Sequence, residues 1–132
     1  MTKEDKELLL KDLSARLLYG IILDIDTTDW KAPQGHIQVK IEGIGFIGKD
    51  MSLIVNGSYY GDNYKPYLRP MSSMTEKEKE EYDHRLECMF YNTMYDDAFA
   101  IDWLNAHHFD YRGLIEKNLA IAVTKENNPY KK

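Results

Sequence analysis

The chain holds a single cysteine, Cys88, among 132 residues. One thiol cannot close an internal disulfide, which excludes a secreted disulfide scaffold, and the same count excludes a cysteine-rich zinc site. Long apolar runs are missing as well. The longest, Leu17 to Leu23, is seven residues with Gly20 inside it, and Asp24 ends it; a membrane span needs about 20. The opening Met1-Thr2-Lys3-Glu4-Asp5-Lys6-Glu7 is charged in both signs, unlike the basic start and apolar stretch of a signal peptide. The expectation is a cytoplasmic protein with no membrane partner. A basic excess is lacking too: 17 Lys and Arg stand against 22 Asp and Glu, a net charge of −5. That is not the footprint of a protein that holds nucleic acid by bulk charge. No low-complexity tract or internal repeat is visible.

What remains is an ordinary packed domain. Apolar residues make up 43% and charged residues 30%, which argues against disorder. The length fits one domain over residues 1–132, able to bury roughly two thirds of its unfolded surface without a metal or disulfide.

Residues 2–18 read as a helix. Thr2 with Asp5 is a capping-box variant, Leu9, Leu10, Leu13 and Leu17 form one stripe, and Lys3, Lys6, Glu7, Lys11 and Asp12 supply the wet side. Gly20 ends it in a left-handed turn. Ile21–Asp26 and the strictly alternating His36–Glu42 read as strands, and Gly43 and Gly45 suggest a bend or bulge. Met51–Asn56 is a third run, closed by the hairpin dipeptide Asn56-Gly57. A short fourth strand falls at Ser58–Tyr60 or Tyr64–Leu68, with Pro66 and Pro70 making Tyr67–Arg69 extended or edge-like. Thr75 with Glu78 is a proper capping box for a helix over 76–93, with Tyr82, Leu86, Met89 and Thr93 as its stripe. Asp96-Asp97 caps a helix over 98–108 with Phe99, Ile101, Trp103 and Leu104 as its apolar content, and Asp110 caps a third over 111–117. Phe109 and Leu114 stand as a hydrophobic staple; Asn118 takes the left-handed stop, with Leu119 folding back onto Leu114. Leu119–Val123 adds a short edge strand, and the polar tail from about 125 is expected to be loose. The fold class is α+β: an N-terminal helix, a small antiparallel three- to four-stranded meander able to curl like a small barrel, then two or three C-terminal helices.

Four groups of residues invite chemistry. His107 and His108, with Asp102 and Asp110 nearby, suggest a metal, but adjacent helix positions point about 100° apart and the i, i+4 ligand spacing is absent. Packing at a helix end accounts for both histidines. Asp24, Asp26 and Asp29 suggest a divalent cation, since Asp-x-Asp on a strand puts both carboxylates on one face; with no Gly-rich phosphate loop or clear third ligand, a plain wet face opposite Leu23 and Ile25 is the expectation. Cys88 lies four residues from His84 and four from Asn92, yet nucleophilic catalysis also needs an orienting group and an oxyanion donor, and neither is suggested. The segment Tyr59–Pro70 packs Tyr59, Tyr60, Tyr64 and Tyr67 with Lys65 and Arg69 into twelve residues. Such residues anchor protein interfaces and stack on bases, and they also seal a sheet to its helices. The run Glu76–Glu81, interrupted by Lys77 and Lys79, reads as a solvated helix face rather than a dock for a basic partner.

Lys65-Pro66-Tyr67-Leu68-Arg69-Pro70-Met71-Ser72-Ser73-Met74-Thr75-Glu76 and Asp102-Trp103-Leu104-Asn105-Ala106-His107-His108-Phe109-Asp110-Tyr111-Arg112-Gly113-Leu114-Ile115-Glu116-Lys117, with the leading helix Thr2–Gly20, resemble a set of small uncharacterised proteins of gut Bacteroidetes phages, prophages and mobile elements. The stretches cover a little over a third of the chain. Departures fall at Leu18, where those proteins tend to carry Pro, and at Asn118, where they tend to carry Gly. The resemblance implies a small accessory protein of phage-like origin and transfers no fold, substrate or site.

The expected function is therefore a non-enzymatic binding or accessory protein without a cofactor. It acts on a macromolecular partner, a protein first, through Tyr59, Tyr60, Tyr64, Tyr67 and Arg69 and the helix carrying Trp103, His107 and His108. The alternatives are a small metal-assisted enzyme on nucleotides or phosphate esters, using Asp24 and Asp26 or His107, His108 and Asp110, and a nucleic-acid binder using the tyrosine-rich loop.

Overall fold

A computed structural model of the chain describes residues 2–47, 50–55, 58–60, 64–91 and 98–131. Helix α1 runs Lys3–Arg16, with the Thr2 hydroxyl accepting the Asp5 N–H at 3.0 Å. A short 3-10 turn over Leu17–Tyr19 follows, and Gly20, at φ 69°, ends it. Leu9, Leu10 and Leu13 are fully buried as their spacing predicts, together about 5–9 kcal/mol of apolar burial. Asp12 departs from expectation. It lies at 0% exposure, not on the wet side, because Arg16 one turn on is equally buried and binds it at 2.7 and 3.2 Å. Arg16 also donates to the Phe109 carbonyl at 2.7 Å, and Arg112 approaches Asp12 at 3.2 Å.

Strands β1 (Ile22–Asp26) and β2 (His36–Lys40) form an antiparallel pair. Ile41 and Glu42 then lead into β3 (Gly43–Ile47), β4 (Asp50–Val55) and β5 (Ser58–Tyr60), an antiparallel sheet in the order β3-β4-β5. Val55 pairs with Ser58; the Asn56-Gly57 turn between them lies outside the described residues. Strand β6 (Tyr64–Pro70) returns to pair antiparallel with β1. Both positions considered for a fourth strand are thus strands. Helices α2 (Glu76–Tyr91) and α3 (Phe99–Ala106) follow, then the two-residue strands β7 (Phe109–Asp110) and β8 (Ile121–Ala122), both parallel to β6. Among the described residues the first sheet has the order β2-β1-β6-β7, with β8 also on β6. The architecture is α+β, with an N-terminal helix, sheet and C-terminal helices.

Several details differ from what the sequence predicts. β6 is central rather than edge-like. Pro66 stands opposite Leu23, at a position where the alternation of the ladder asks for no N–H from β6. The third helix expected over 111–117 is a single turn. Gly113, at φ 75°, breaks the path, and the Asp110 carboxylate caps the turn beyond it by accepting from Leu114 N–H at 3.0 Å and Ile115 N–H at 2.9 Å. Asn118 takes its left-handed stop at φ 59°, and Leu119 N–H reaches back to the Leu114 carbonyl at 2.9 Å. One turn suffices because it buries both Leu114 and Leu119 in the main core with α1, β1 and β6. Phe109 belongs to a separate cluster with Trp103 and Leu104, so no staple forms with Leu114. The Asp96-Asp97 cap and Thr93 lie outside the described residues.

The tail is not loose. Asn127 accepts from Thr124 at 2.6 and 2.8 Å and donates to the Ala122 carbonyl at 3.2 Å. The Tyr130 hydroxyl accepts the Ile22 N–H at 3.0 Å and donates to the Tyr67 carbonyl at 2.7 Å. Among the described residues no helix is long and apolar enough to cross a membrane.

Candidate functional site

On β1 the alternation sends Leu23 and Ile25 into the core and leaves Asp24 and Asp26 on the opposite face. The hairpin register sets His36 opposite Asp26 and Gln38 opposite Asp24. On the other flank Lys65 stands opposite Asp24. The turn ending in Asn118 forms one wall and Asp5, in the first turn of α1, another. The result is a cleft of about 610 Å³ lined by Asp5, Asp24, Asp26, His36, Lys65 and Lys117, with Asn118, Tyr64 and two apolar side chains between them.

The polar groups in the cleft are partly committed to one another. His36 Nδ1 lies 2.7 Å from Asp24 Oδ2. This hydrogen bond and the charge of Asp24 raise the His36 pKa above its ordinary value. The ring itself is 64% exposed, whereas the Asp24 side chain is 11% exposed. The arrangement is an accessible imidazole held by a largely buried carboxylate. Asp26 accepts from the Thr28 hydroxyl and, at 3.0 Å, from its N–H, which lowers its pKa. Lys65 Nζ donates to Asn118 Oδ1 at 3.0 Å. Chemically the cleft offers hydrogen bonds and charges of both signs, with the accessible His36 imidazole able to take or give a proton.

Of the expected site residues whose side chains are described, the structure brings Asp24, Asp26 and the buried Tyr64 to this cleft and places Tyr67, Arg69, Trp103, His107 and His108 elsewhere. Among the described residues no group of three or more His, Cys, Asp or Glu could hold a metal ion. Tyr64 and Tyr67 are 1% and 8% exposed. They cannot present a binding surface; the sheet seals over them. Trp103 is likewise buried, stacked on Tyr82 at 5.7 Å, Phe109 at 5.8 Å and His107 at 4.2 Å. Arg69 is bidentate to Glu78 at 2.7 and 2.8 Å and lies 4.1 Å over the Phe109 ring. The side chains of Tyr59 and Tyr60 lie outside the described residues.

His107 and His108 part company. The His107 Nδ1–H donates to the Trp103 carbonyl at 2.9 Å. His108, at φ 63°, turns away and stacks on Tyr130 at 3.8 Å. Burial, with Arg16, Arg69 and His107 nearby, holds its pKa down at about 4. Cys88 Sγ is 3.7 Å from His84 Nε2 on α2; Asn92 lies outside the described residues. Glu76, Lys77, Glu80, Glu81 and His84 are exposed, the solvated face their spacing predicts.

Sequence reasoning missed His36, Lys117 and Asp5, and grouped Lys65 with the tyrosines of its own segment rather than with Asp24. The signal for His36 was available: folding Ile22–Asp26 onto His36–Lys40 as a hairpin sets the histidine beside two aspartates. Lys117 and Asp5 come from remote segments, and no local pattern marks them.

Compared with protein-family models, with curated proteins and with solved structures, the chain matches none of them.

Proposed function

We propose that this is a non-enzymatic binding protein that acts in the cytoplasm by contact with a macromolecular partner, and that the cleft is where contact is made. The observation that carries this is the cleft's mixed charge: Asp5, Asp24 and Asp26 line one cavity together with Lys65, Lys117 and His36. A polypeptide, with side chains of both signs and a polar backbone, fits that pattern. A nucleic-acid backbone carries one sign only and would meet three carboxylates on a chain of net charge −5. The resemblance of residues 65–76 and 102–117 to small phage and mobile-element proteins supports an accessory role in such a genome. The test is affinity capture of tagged protein from native lysate, with and without nuclease, alongside a Lys65→Glu/Lys117→Glu variant. The expected result is a stoichiometric protein that survives nuclease and is lost about tenfold or more in the variant. Equal capture by both forms removes the reading, and loss with nuclease shifts it to nucleic acid.

The His36–Asp24 contact favours one second reading, a small enzyme on nucleotides or phosphate esters. His36 would move the proton while Lys65 and Lys117 hold the phosphate. Asp24 and Asp26 each have one oxygen engaged, by His36 and Thr28, and would offer a metal the other. This reading expects phosphate-ester turnover that disappears in His36→Gln and a melting temperature that rises with Mg²⁺ or Mn²⁺. Neither effect in the purified protein ends it.

A further inference from the structure

Strand β2 is the end of its sheet, and the direction of its free backbone groups can be worked out. The Thr27 N–H donates to the Gly35 carbonyl at 3.0 Å. Residues 27 and 35 continue the register in which Asp26 opposes His36 and Ile25 opposes Ile37. In an antiparallel pair, hydrogen-bonded and non-hydrogen-bonded positions alternate. The bonded pairs are therefore Ile25 with Ile37 and Leu23 with Val39. His36, Gln38 and Lys40 turn their N–H and C=O groups the other way, to the free edge. Among the described residues no strand pairs there, and none donates to or accepts from these groups.

Monomers blunt such an edge with proline, a bulge or charged side chains, lysine above all; β2 carries charge only at its two ends, His36 and Lys40. β2 is His36-Ile37-Gln38-Val39-Lys40, regular and without proline or glycine, with a neutral amide at its centre. Its backbone hydrogen-bonding pattern is also self-complementary, and this must outweigh the like charge of His36, when protonated, against a second copy's Lys40. With a two-fold axis at Gln38, an antiparallel second copy pairs Gln38 with the partner copy's Gln38, and His36 with its Lys40. All three outward-facing residues are then bonded in both directions. Between them lie the close, non-bonded pairs of Ile37 with Val39, which place the half-buried apolar side chains of the two copies against each other. An amide on the axis can donate to and accept from its own image; a lysine or glutamate there would repel itself. We infer that the chain pairs with a second copy of itself through the β2 edge, joining two sheets into one across Gln38. This does not depend on the cleft reading. It sets the two clefts on one continuous face, because Lys65, Asp24 and Gln38 lie in a row that runs on through Gln38, Asp24 and Lys65 of the second copy.

Sedimentation velocity over a concentration series tests it, together with hydrogen exchange at the His36, Gln38 and Lys40 amides. The expected result is a concentration-dependent dimer with exchange at those three amides slowed as it forms. Gln38→Lys sets two cations against each other on the axis and should weaken the dimer about fivefold or more. Gln38→Pro removes an outward N–H from each copy, leaves the β1 ladder intact, and should weaken it about tenfold or more. Circular dichroism checks that both variants fold; if the proline variant does not, the lysine variant and wild-type exchange still decide. A chain that stays monomeric up to about 1 mM overturns the inference. So does a dimer indifferent to Gln38→Lys. Edge amides protected only by added host extract would assign the edge to a foreign strand and overturn self-pairing.

Discussion

Asp12 and Arg16 carry opposite charges one helical turn apart, both at 0% exposure. Such a pair gains little over a well-packed apolar pair, but breaking it leaves a charge stranded in a poor dielectric. Asp12→Ala should cost about 3–5 kcal/mol in urea unfolding, a large share of the 5–15 kcal/mol typical of a domain. Asp12→Leu with Arg16→Met should recover most of that loss. Two other residues govern acid stability. Burial holds His108 near 4, so the unfolded chain takes up a proton at the ordinary value of 6.5 that the folded chain refuses. Its contribution is full above 6.5 and is lost as pH falls towards 4. Glu78, drawn down to about 2 by Arg69, contributes above its ordinary 4.5 and loses that contribution as pH falls from 4.5 to 2. Stability measured against pH should therefore decline in two stages. His108→Asn, which tolerates φ 63°, should remove the first and spare the second.

At the level of elements, local chemistry was largely readable. The Thr75–Glu78 capping box forms as its spacing predicts, with Glu78 accepting the Thr75 N–H at 3.0 Å and Thr75 accepting the Glu78 N–H at 3.1 Å. Glu78 also holds Arg69 of β6, which makes the cap the joint between helix and sheet. Thr75→Ala should cost about 1 kcal/mol, and Arg69→Ala more, since it frees the strand contact as well; denaturation midpoints would rank them. The α1 stripe, the His36–Lys40 alternation and the Asn118 stop were legible for the same reason: each is set by neighbours within a few residues. Asp12 looked wet because Arg112, which approaches it, and Phe109, whose carbonyl holds its partner Arg16, are about a hundred residues away. The tyrosines of β6 looked like an interface because composition does not say whether a strand is central. The cleft was half legible. Asp24 and Asp26 share a face by strand period, but Lys65, Lys117 and Asp5 arrive only through tertiary structure.

At the scale of the whole molecule, Tyr130 ties together residues far apart in the chain. The β1–β6 ladder closes at Leu23 opposite Pro66, and its next rung would join Ile22 to Tyr67. The Tyr130 hydroxyl stands in that rung, taking the Ile22 N–H and donating to the Tyr67 carbonyl. Tyr130→Phe keeps the ring on His108 and strands both backbone groups, at about 1–3 kcal/mol in the urea midpoint. The order of synthesis gives this tie a further meaning. Tyr130 is made 63 residues after Tyr67; at roughly 5–20 residues per second, the nascent chain waits about 3–13 s with that rung open. The sheet is thus laid down early and fastened late. Until then the ribosome carries a chain in which Ile22 and Tyr67, at one end of the β1–β6 seam, still lack the hydroxyl that joins them.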